Sequence, residues 1–398
     1  MRDRITRFDV SSASLGQLGL APMEGVTDFA FRLWMSILGP PQFSWTPFLR
    51  FTDTFPRSIP EYFIPELESP GVLTQMPVIP QLMGPNVDDF VRAADLVLKI
   101  APWVDINCGC PSPTVVGNRS GSSLLEKVEV FSEFIHKSSL HLGPQRLSVK
   151  MRTGFIHSNE FNSLFESICG LPLKFVTVHG RSRLDRYKGK SNWTLPMLAS
   201  KRTSMPILIS GDIHRFAHIQ SIFADQSKIY SGIVGRGALR NPWIFSGKSK
   251  APVLKALCVF GLIQNLWLSD PGLLLLWAKD GHGMKTAGVD SESWIRVIES
   301  LNKFSGVSVA EIAEVDLSPR ALARVKMLWS YIRSSLPGVF MDPSILRSSR
   351  WSVFYSHIQN ICQLNHFSED ELPLLYDEER DWLYSGESRE AFNLHQSI

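Results

Sequence analysis

Short apolar runs alternate with longer amphipathic segments from the start of the chain to about residue 237. The runs are rich in Val, Ile, Leu and Phe and end near Gly, Pro, Asn or Ser, which is typical of buried β-strands. The longer segments between them, such as residues 87–98, carry apolar residues at the helical period. The pattern predicts eight strands separated by helices: Leu18–Met23, Phe43–Phe48, Val78–Met83, Val104–Asn107, Leu147–Met151, Phe175–His179, Ile207–Ser210 and Ile229–Gly235.

Strands that alternate with helices predict an α/β fold with a parallel sheet. Eight such units in about 230 residues match a closed (β/α)8 barrel, the TIM barrel, better than an open doubly wound sheet. TIM barrels carry their chemistry at the carboxyl ends of the strands. Seven of the eight predicted strands end in polar or special residues: Pro22 to Glu24, Gln81, Asn107 to Cys110, Lys150 and Arg152, His179 and Arg181, Gly211 and Asp212, and Gly235 to Gly237.

The alternation stops after Trp243, which predicts a second, smaller domain. We predict a barrel over residues 1–244 and a helical domain over residues 245–366, with an insertion at about 245–320. The helical domain is expected to be the C-terminal one of the two, followed by an acidic tail over residues 367–398. Two helices stand out within it, one from Ser318-Pro319 to Pro337 with an N-cap and a proline at its first position, and one over Trp351–Leu364.

Composition excludes several classes of protein. The chain has 398 residues, of which 44% are hydrophobic and 20% charged, so it is neither collagen-like, nor a coiled coil, nor wholly disordered. The net charge is +3, but the acidic tail holds nine Asp/Glu and two Arg, which leaves 39 basic and 29 acidic residues, or +10, before it. A basic surplus attracts polyanions such as nucleic acid, although solvated surface charge accounts for it equally well.

Cysteine usage and hydropathy indicate a cytoplasmic protein. The five cysteines are scattered, with no CxxC pair to bind zinc, so we expect reduced thiols and no metal site. No apolar stretch follows the charged N-terminus, which argues against a secretory signal. The most apolar stretch, residues 256–276, is interrupted by polar residues and Pro271, short of the 18 or so apolar residues of a membrane span. We expect no membrane association and a monomer.

Cys110 is the candidate catalytic thiol. It lies in the sequence Asn107-Cys108-Gly109-Cys110-Pro111, at the end of the fourth predicted strand, and a loop rich in Gly and Ser follows. A thiol on a loop over the barrel mouth can act as a nucleophile or as a proton donor. Gly109 and Pro111 force a turn around Cys110, so we expect Cys110 to be the accessible thiol and Cys108 the inward-packed one.

Lys150 and Arg152 alternate on one strand and therefore share a face. Two cations facing a barrel interior require an anionic partner, because burying them unpaired is costly. A flavin, whose pyrimidine side gains negative charge on reduction, would be such a partner, and an ion pair with Glu24 or Asp212 is the alternative. His179 and Arg181 repeat the arrangement one strand later, with a histidine of purely structural role as the alternative there.

Two glycine motifs end the seventh and eighth predicted strands. Gly211-Asp212 and Gly235-Arg236-Gly237-Ala238 stand where TIM barrels bind phosphate through backbone N–H groups and a helix N-terminus. Ordinary turn chemistry is the alternative for so short a motif. The chain has no Walker loop and no GxGxxG, so a phosphate site here favours a mononucleotide such as FMN.

Five blocks in this order resemble the signature sequences of the FMN-dependent tRNA-dihydrouridine synthases: residues 20–28 (LAPMEGVTD), 107–112 (NCGCPS), 149–152 (VKMR), 178–182 (VHGRS) and 235–239 (GRGAL). The helix at residues 324–333 (RVKMLWSYIR) is similar to that of the bacterial synthase C branch. The resemblance covers roughly residues 17–245 and 320–365. It implies a catalytic barrel followed by a helical tRNA-binding domain.

The resemblance also implies a reaction and its residues. NADPH would reduce FMN, and the reduced flavin would pass a hydride to carbon 6 of a uridine flipped out of the tRNA D-loop, at position 16 in the C branch. Cys110 would protonate carbon 5, and Asn107 would hold the uracil edge. The implied cofactor-binding residues are Pro22, Met23, Gln81, Lys150, His179, Gly211, Asp212, Gly235 and Arg236, and the implied substrate-binding residues are Asn107, Arg152, Arg181, Arg324, Lys326 and Arg333.

Four positions depart from the family's pattern and concern substrate positioning more than flavin binding. Pro47 stands where Glu is usual, Ser210 where Asn is usual, Pro113 where Lys is frequent, and Asp185 where Gln is typical. These departures leave two alternatives open: a catalytically weakened tRNA-binding paralogue, and an FMN barrel that reduces a small molecule. The retained Cys110 favours the enzyme over the paralogue, and the basic surplus argues against a small substrate.

Overall fold

A computed structural model describes residues 17–51, 65–68, 73–74, 76–224, 228–279, 317–368 and 370–375. Most of the predicted acidic tail, and residues 280–316 of the predicted insertion, lie outside these ranges. The chain divides into two compact units, one formed by Met1–Phe29, Pro41–Gly71 and Met76–Gly235, the other by Ala30–Pro40, Val72–Gln75 and Arg236–Ile398. The domain limits expected from sequence, with a boundary after residue 244, stay a prediction.

Ten strands of the first unit form one parallel sheet that closes into an eight-stranded barrel. Two of the eight strands are interrupted, and each consists of two segments: β2 (Phe43–Trp45) with β3 (Leu49–Arg50), and β4 (Val78–Ile79) with β5 (Gln81–Met83). Because β2 pairs with β4 and β3 with β5, the ring closes, and the predicted TIM barrel is confirmed. The strands are β1 (Gln17–Leu20), β2 (Phe43–Trp45), β3 (Leu49–Arg50), β4 (Val78–Ile79), β5 (Gln81–Met83), β6 (Val104–Cys108), β7 (Leu147–Gly154), β8 (Val176–Ser182), β9 (Ile207–Ser210) and β10 (Ile229–Val234).

Proline explains both interruptions. Pro47 lies between β2 and β3, and Pro80 lies between β4 and β5. A proline has no N–H to donate to the ladder, so regular pairing stops there. The hydroxyl of Thr46 bridges the gap, since it accepts a hydrogen bond of 3.0 Å from the backbone N–H of Gln81.

All eight predicted strands are present, but β7 and β8 extend further than predicted. β7 continues to Gly154 and β8 to Ser182, because the two strands keep pairing beyond Arg152 and His179. The ends of β7 and β8 therefore carry their polar side chains inside regular structure, where neighbouring strands fix their positions.

Helices separate the barrel strands. Helix α3 covers most of the predicted amphipathic segment, and Asn86 caps it by accepting a hydrogen bond of 2.9 Å from the N–H of Asp89. The helices up to β10 are α1 (Phe29–Leu38), α2 (Pro65–Glu68), α3 (Val87–Val97), α4 (Pro113–Gly117), α5 (Val128–Leu142), α6 (Phe161–Glu166), α7 (Thr194–Ser200) and α8 (Phe216–Ala224), with short 3₁₀ helices at Gly121–Glu126 and Ser158–Glu160.

The second unit is mainly helical. Its later helices are α9 (Arg236–Arg240), α10 (Val253–Ser269), α11 (Pro271–Lys279), α12 (Pro319–Ile332) and α13 (Trp351–Leu364), with 3₁₀ helices at Arg333–Ser335, Gly338–Met341 and Pro343–Arg347 and the short antiparallel pair β11 (Lys250–Ala251) and β12 (Leu372–Pro373).

Sequence predicted the two helices α12 and α13 but not the regular structure of α10. The hydroxyl of Ser318 caps α12 as expected, and α13 has the predicted limits. Helix α10 showed no amphipathic pattern because thirteen of its residues are buried, and a helix buried on most of its surface lacks a polar stripe. Trp34 packs on it and donates a hydrogen bond of 2.7 Å to the carbonyl of Ala256. No helix in the described ranges is long and apolar enough to span a bilayer.

Packing around β5 gives a test of the fold. A Cβ atom added at Gly84 would lie 1.9 Å from Cε2 of the buried Phe51, whereas one added at the exposed Gly170 would meet nothing within 4 Å. We expect Gly84→Ala to destabilise the protein by about 1–3 kcal/mol through overpacking. Thermal denaturation should show a lower midpoint for Gly84→Ala than for the control Gly170→Ala, and equal midpoints would contradict the packing described.

Candidate active site

The backbone of Cys110 is held on both sides. Cys110 lies just beyond the end of β6, where no sheet ladder holds the chain. The Oδ1 atom of Asn107 accepts hydrogen bonds of 2.9 Å from the N–H groups of both Gly109 and Cys110. The N–H and Oγ of Ser122 donate to the carbonyl of Cys110, at 3.2 and 2.7 Å. The thiol is therefore fixed on a loop that side chains keep in place.

The loop after Cys110 requires a glycine. Gly121 has a φ of +60°, and a Cβ atom there would lie 2.8 Å from Cγ1 of Val115 and 3.1 Å from the carbonyl oxygen of Cys110. Both the conformation and the close approach favour glycine, and they bring Ser122 against Cys110.

The Cys110 thiol is half-buried and packs against Phe48, Met83 and Val115. Burial raises the pKa of this thiol, against smaller opposing effects of the Ser112 N–H and nearby cations. The group is therefore a neutral thiol at pH 7, which suits a proton donor better than a nucleophile. Cys108 is fully buried, as predicted, and burial raises its pKa well above the ordinary value.

Below Cys110, buried polar side chains form a connected hydrogen-bond network. The Nδ2 of Asn107 donates to Oε1 of Gln81 at 2.9 Å, and the Nε2 of Gln81 donates to Oδ2 of Asp105 at 2.7 Å. Ser148 donates to Oδ1 of Asp105 at 2.6 Å. The structure thus brings the predicted site residues Gln81 and Asn107 together, and it adds Asp105 and Ser148, which the sequence analysis missed.

A signal for Asp105 and Ser148 was present in the sequence. Asp105 shares a strand face with Asn107, and Ser148 shares one with Lys150, by the period of two. A polar residue inside an otherwise apolar strand is itself a candidate site residue when it shares a strand face with another candidate.

Lys150 is half-buried, and its ammonium group has no hydrogen-bond partner within the described part of the chain. Burial lowers the pKa of Lys150 to about 8, and the charge of Arg152 adds to this, against the opposite effect of Asp105. A cation with unused donors fits a ligand that presents an acceptor or a negative charge.

Arg152 is buried and spans three backbone segments. Its Nε donates to the carbonyl of Gly109 at 2.8 Å, and its Nη1 donates to the carbonyls of Ser182 and Arg186 at 2.8 and 2.9 Å. The guanidinium also lies 5.7 Å from the ring centre of Tyr187. These bonds tie the Cys110 loop to the loop that follows β8, while the substrate-binding role expected for Arg152 stays a prediction.

Arg181 and Asp212, both predicted site residues, bind each other. The Nη2 of the buried Arg181 lies 2.8 and 2.6 Å from the two carboxylate oxygens of Asp212. Asp212 also accepts a hydrogen bond of 2.7 Å from the N–H of Ser191. Burial alone would raise the pKa of Asp212. The hydrogen bond from His214 and the Arg181 guanidinium outweigh this effect and hold the pKa of Asp212 well below its ordinary value. The pair fixes the loops after β8 and β9; a direct contact of either residue with a ligand stays a prediction.

His179 and Gly211 lie side by side. Gly211 has a φ of +102°, and a Cβ atom there would lie 2.7 Å from Cδ2 of His179 and 2.3 Å from Oγ of Ser191. The Ser191 hydroxyl is buried and lacks a hydrogen-bond partner among the described residues. An unpaired hydroxyl beside a glycine turn at the end of β9 fits an anionic group such as a phosphate.

Pro22 and Met23 follow β1, and the backbone N–H of Met23 donates to the hydroxyl of Thr27 at 2.9 Å. A Cβ atom at Gly235 would lie 3.8 Å from Sδ of Met23, so the ends of β1 and β10 are neighbours.

Four predicted site residues lie in the second unit, and their contacts with a ligand stay predictions. Arg236 begins α9. Arg324 and Lys326 lie half-buried on α12, where burial lowers the pKa of Lys326. Arg333 follows α12 and donates a hydrogen bond of 3.3 Å to the carbonyl of Met341.

Two of the departures from the family pattern have local structural partners. Asp185 accepts hydrogen bonds from the N–H and Oγ of Ser182, at 2.9 and 2.7 Å, and thereby stabilises the turn after β8. Pro113 occupies the first position of α4, where a missing N–H costs nothing.

Among the residues described, no group of three or more His, Cys, Asp and Glu side chains could hold a metal ion. The residues present instead fit a flavin mononucleotide. Lys150 and Ser191 have unused donors, and the amides of Gln81 and Asn107 each keep a second N–H beyond the bonds given above.

Comparison with known proteins identifies a family. Residues 19–257 match the family described as dihydrouridine synthase (Dus). The chain is similar to the probable tRNA-dihydrouridine synthase of Aquifex aeolicus, with 29% identity over 237 residues, 58% of this chain and 72% of that protein. It is also similar to tRNA-dihydrouridine(16) synthase of Pasteurella multocida, with 29% identity over 56% of this chain and 73% of that protein. A tRNA-dihydrouridine(47) synthase-like protein of Oryza sativa subsp. japonica is 28% identical over 54% of this chain and 32% of that protein.

The three hydrogen bonds from Arg152 to backbone carbonyls give a test of the site. An ammonium group lacks the planar fork that reaches Gly109, Ser182 and Arg186 together. We therefore expect Arg152→Lys to lower the free energy of unfolding by about 2–3 kcal/mol. Urea denaturation should show this loss, while the exposed control Arg146→Lys changes the value by less than about 0.5 kcal/mol. A loss no larger than that of the control would contradict the structural role of Arg152.

Proposed function

The chain belongs to the dihydrouridine synthase family, and we propose that it is an FMN-dependent enzyme that reduces one uridine of the tRNA D-loop to 5,6-dihydrouridine. The observation that carries the proposal is the neutral Cys110 thiol, held by Asn107 and Ser122 at the barrel mouth beside the unpaired donors of Lys150. A positioned proton donor next to a cation is the arrangement that reduction of a carbon–carbon double bond by hydride and proton needs.

The cofactor accounts for the redox chemistry. Bound FMN, once reduced by NADPH, supplies a hydride to carbon 6 of the uracil ring. The protein's own residues bind and orient this group. Lys150, Gln81, His179, Pro22 and Met23 would hold the flavin, and the Lys150 ammonium would be available to the negative charge of its reduced pyrimidine side.

The phosphate of FMN is assigned to the glycine turns at the ends of β9 and β10. Gly211 and Gly235 allow close approach of the backbone, and the unpaired Ser191 hydroxyl supports an anion there. Asp212 has an indirect role here, because its carboxylate binds and positions the guanidinium of Arg181. Arg236 directly follows Gly235 in the chain.

Cys110 donates the proton that completes the reduction. The Cys110 thiol would give its proton to carbon 5 of the uracil when carbon 6 has received a hydride, and the resulting thiolate would regain a proton from water. The raised pKa of Cys110 favours this role, because the group holds its proton at neutral pH. Asn107 offers its second Nδ2 hydrogen to the uracil edge.

The substrate must be extruded, because a uracil stacked in an RNA helix cannot meet a flavin face. The basic surplus before the acidic tail and the residues Arg324, Lys326 and Arg333 favour a polyanionic substrate. We propose that Arg152 and Arg181 serve the binding of the same substrate indirectly, because their hydrogen bonds hold the loops of the site in place. Position 16 is favoured because the relative named for it matches over 73% of its length, against 32% for the relative named for position 47.

We extend the proposal to NADPH as the reductant, to a monomeric enzyme and to a cytoplasmic location. Pro47 lies between β2 and β3, and Ser210 is the last residue of β9. As departures from the family's pattern, they leave the tRNA-binding paralogue as the second candidate.

Replacement of Cys110 tests the proposal. We expect Cys110→Ala to keep the yellow FMN spectrum and to form dihydrouridine about 10²- to 10⁴-fold more slowly, because the proton donor is gone. The measurement is mass spectrometry of nucleosides from tRNA that lacked dihydrouridine before incubation with enzyme and NADPH. Cys169→Ala is the control and should retain full activity, because Cys169 is a half-buried thiol three residues after the end of α6 and donates to the carbonyl of Glu166. Full activity of Cys110→Ala would remove Cys110 as the donor.

The lowered pKa of Lys150 predicts a pH dependence. Lys150 is charged below its pKa of about 8 and loses the charge as pH rises through that value. The rate at which NADPH bleaches the bound flavin should therefore fall above pH 8 in the natural protein, because the ammonium no longer stabilises the negative charge of the reduced ring. Stopped-flow absorbance between pH 6 and 10 measures this rate. Lys150→Met should be slow at every pH and should lack the decline, and an unchanged decline in that variant would contradict the assignment.

A further inference from the structure

The buried network beneath Cys110 contains one ionisable group that the proposed reaction does not use. Asp105 is fully buried on β6, two residues before Asn107. It accepts hydrogen bonds from Gln81 and Ser148, of which Gln81 is also assigned to the flavin. Its connection to the thiol runs through two carboxamides in series, Gln81 and Asn107.

The two ends of this chain of hydrogen bonds have fixed and opposite chemistry. At one end, the ionised carboxylate of Asp105 can only accept. At the other end, the backbone N–H groups of Gly109 and Cys110 can only donate. A carboxamide has one accepting and one donating side, so each of the two amides between these ends must turn in one direction for every bond to form.

The observed distances satisfy that single arrangement. Gln81 turns its Nε2 to Asp105 at 2.7 Å, which leaves its Oε1 for the Nδ2 of Asn107 at 2.9 Å. Asn107 then presents its Oδ1 to the N–H groups of Gly109 and Cys110, both at 2.9 Å. With Asn107 reversed, its NH₂ group would face two N–H donors, and three buried donors would meet with no acceptor between them.

We propose that Asp105 is a positioning residue for Cys110: by accepting from Gln81 it sets the direction of both carboxamides, and so keeps Oδ1 of Asn107 on the backbone N–H groups that hold the thiol. The inference rests on the proposed role of Cys110 as proton donor. It adds Asp105 as the group on which the position of the proton donor depends. Asp105 lies 24 residues from Gln81 in sequence and on a neighbouring strand.

The charge state of Asp105 agrees with this role. Burial raises the pKa of Asp105 to about 6, against the hydrogen bonds from Ser148 and Gln81 and the charge of Lys150. Burial, and in addition the charge of Asp105, raise the pKa of the Cys108 thiol, which therefore stays neutral. Asp105 is therefore ionised at pH 7 and accepts only. As pH falls through 6 the carboxyl gains a proton, becomes able to donate, and no longer sets one direction for the amides.

A double-mutant cycle on the FMN-loaded enzyme tests the proposal. Reduced enzyme is mixed with tRNA that lacks dihydrouridine, and the rate of flavin reoxidation is followed in a single turnover. An Asn side chain at position 105 keeps the shape of Asp but offers either a donor or an acceptor to Gln81. We expect Asp105→Asn to slow reoxidation about 10-fold or more when Cys110 is present, and less than about 2-fold in the Cys110→Ala background.

A purely structural role would give a different result. If Asp105 only stabilised the barrel or the flavin, the loss would be the same with and without Cys110, and that outcome would overturn the proposal. No loss with Cys110 present would overturn it as well. Asp89→Asn is the matched control: Asp89 is also poorly exposed and hydrogen-bonded, to Asn86 and Arg92, but lies at the start of α3. It should leave the rate unchanged.

A second readout does not depend on activity. The alkylation rate of Cys110 by iodoacetamide, measured by peptide mass spectrometry, reports how firmly the loop is held. We expect Asp105→Asn to raise this rate several-fold at pH 7, while Asp89→Asn leaves it unchanged. If Asp105→Asn does not fold, Gln81→Met breaks the same chain at its next member and should raise the rate likewise. Unchanged alkylation in the folded variant would contradict the proposal.

These outcomes separate the inference from the proposed function. Full activity of Cys110→Ala alone would contradict Cys110 as the proton donor, yet the alkylation rates would still decide whether Asp105 positions the loop. Conversely, slow turnover by Cys110→Ala together with unchanged alkylation in Asp105→Asn would keep the proposed function and overturn the role of Asp105.

Discussion

The side-chain oxygen of Asn107 holds the backbone that carries the Cys110 thiol. Cys110 follows a strand end, so the sheet ladder that orders the rest of β6 cannot hold it. The Asn107 oxygen takes the place of a ladder acceptor for two successive N–H groups, and Ser122 holds the carbonyl on the other side. Each of these bonds is modest in free energy, but a buried amide left without its acceptor is costly, which makes the arrangement stringent. The thiol is therefore placed by the barrel interior, although it lies outside the strands.

The cations of the barrel mouth divide into two groups. Arg152 and Arg181 are buried and bind backbone carbonyls, and Arg181 also binds Asp212, so their charges serve to hold loops. Lys150 is different, because its ammonium has no hydrogen-bond acceptor in the described part of the protein. A planar guanidinium suits several carbonyls at once, whereas a compact ammonium suits a single ligand atom. The positive charge thus has a structural use at Arg152 and Arg181, and the proposed function assigns the Lys150 ammonium to the flavin.

The fold was largely predictable from sequence, and the site only in part. Alternating strands and helices predict the barrel because each strand is short, buried and bounded by turn residues. The interruptions at Pro47 and Pro80 follow from proline chemistry, but the continuation of β7 and β8 depends on their pairing with each other. Helix α10 is invisible to periodicity because it is buried on most of its surface.

Within the site, residue types indicated which side chains matter, while their partners depend on geometry. The pattern placed Lys150 and Arg152 on one face but could not show that Arg152 reaches Gly109, Ser182 and Arg186, which are brought close only by the closed barrel. Asp105 was overlooked for a similar reason: its role arises from side chains on neighbouring strands, and a single strand read alone does not contain them.

The most direct test of the central claim is position-by-position mass spectrometry of tRNA nucleosides from cells with and without this gene. We expect dihydrouridine at position 16 of the D-loop to be lost when the gene is absent and to return with the natural protein, but not with the Cys110→Ala variant. Unchanged dihydrouridine at every position would contradict the assignment of this protein as a tRNA-dihydrouridine synthase, and would favour the tRNA-binding paralogue in its place.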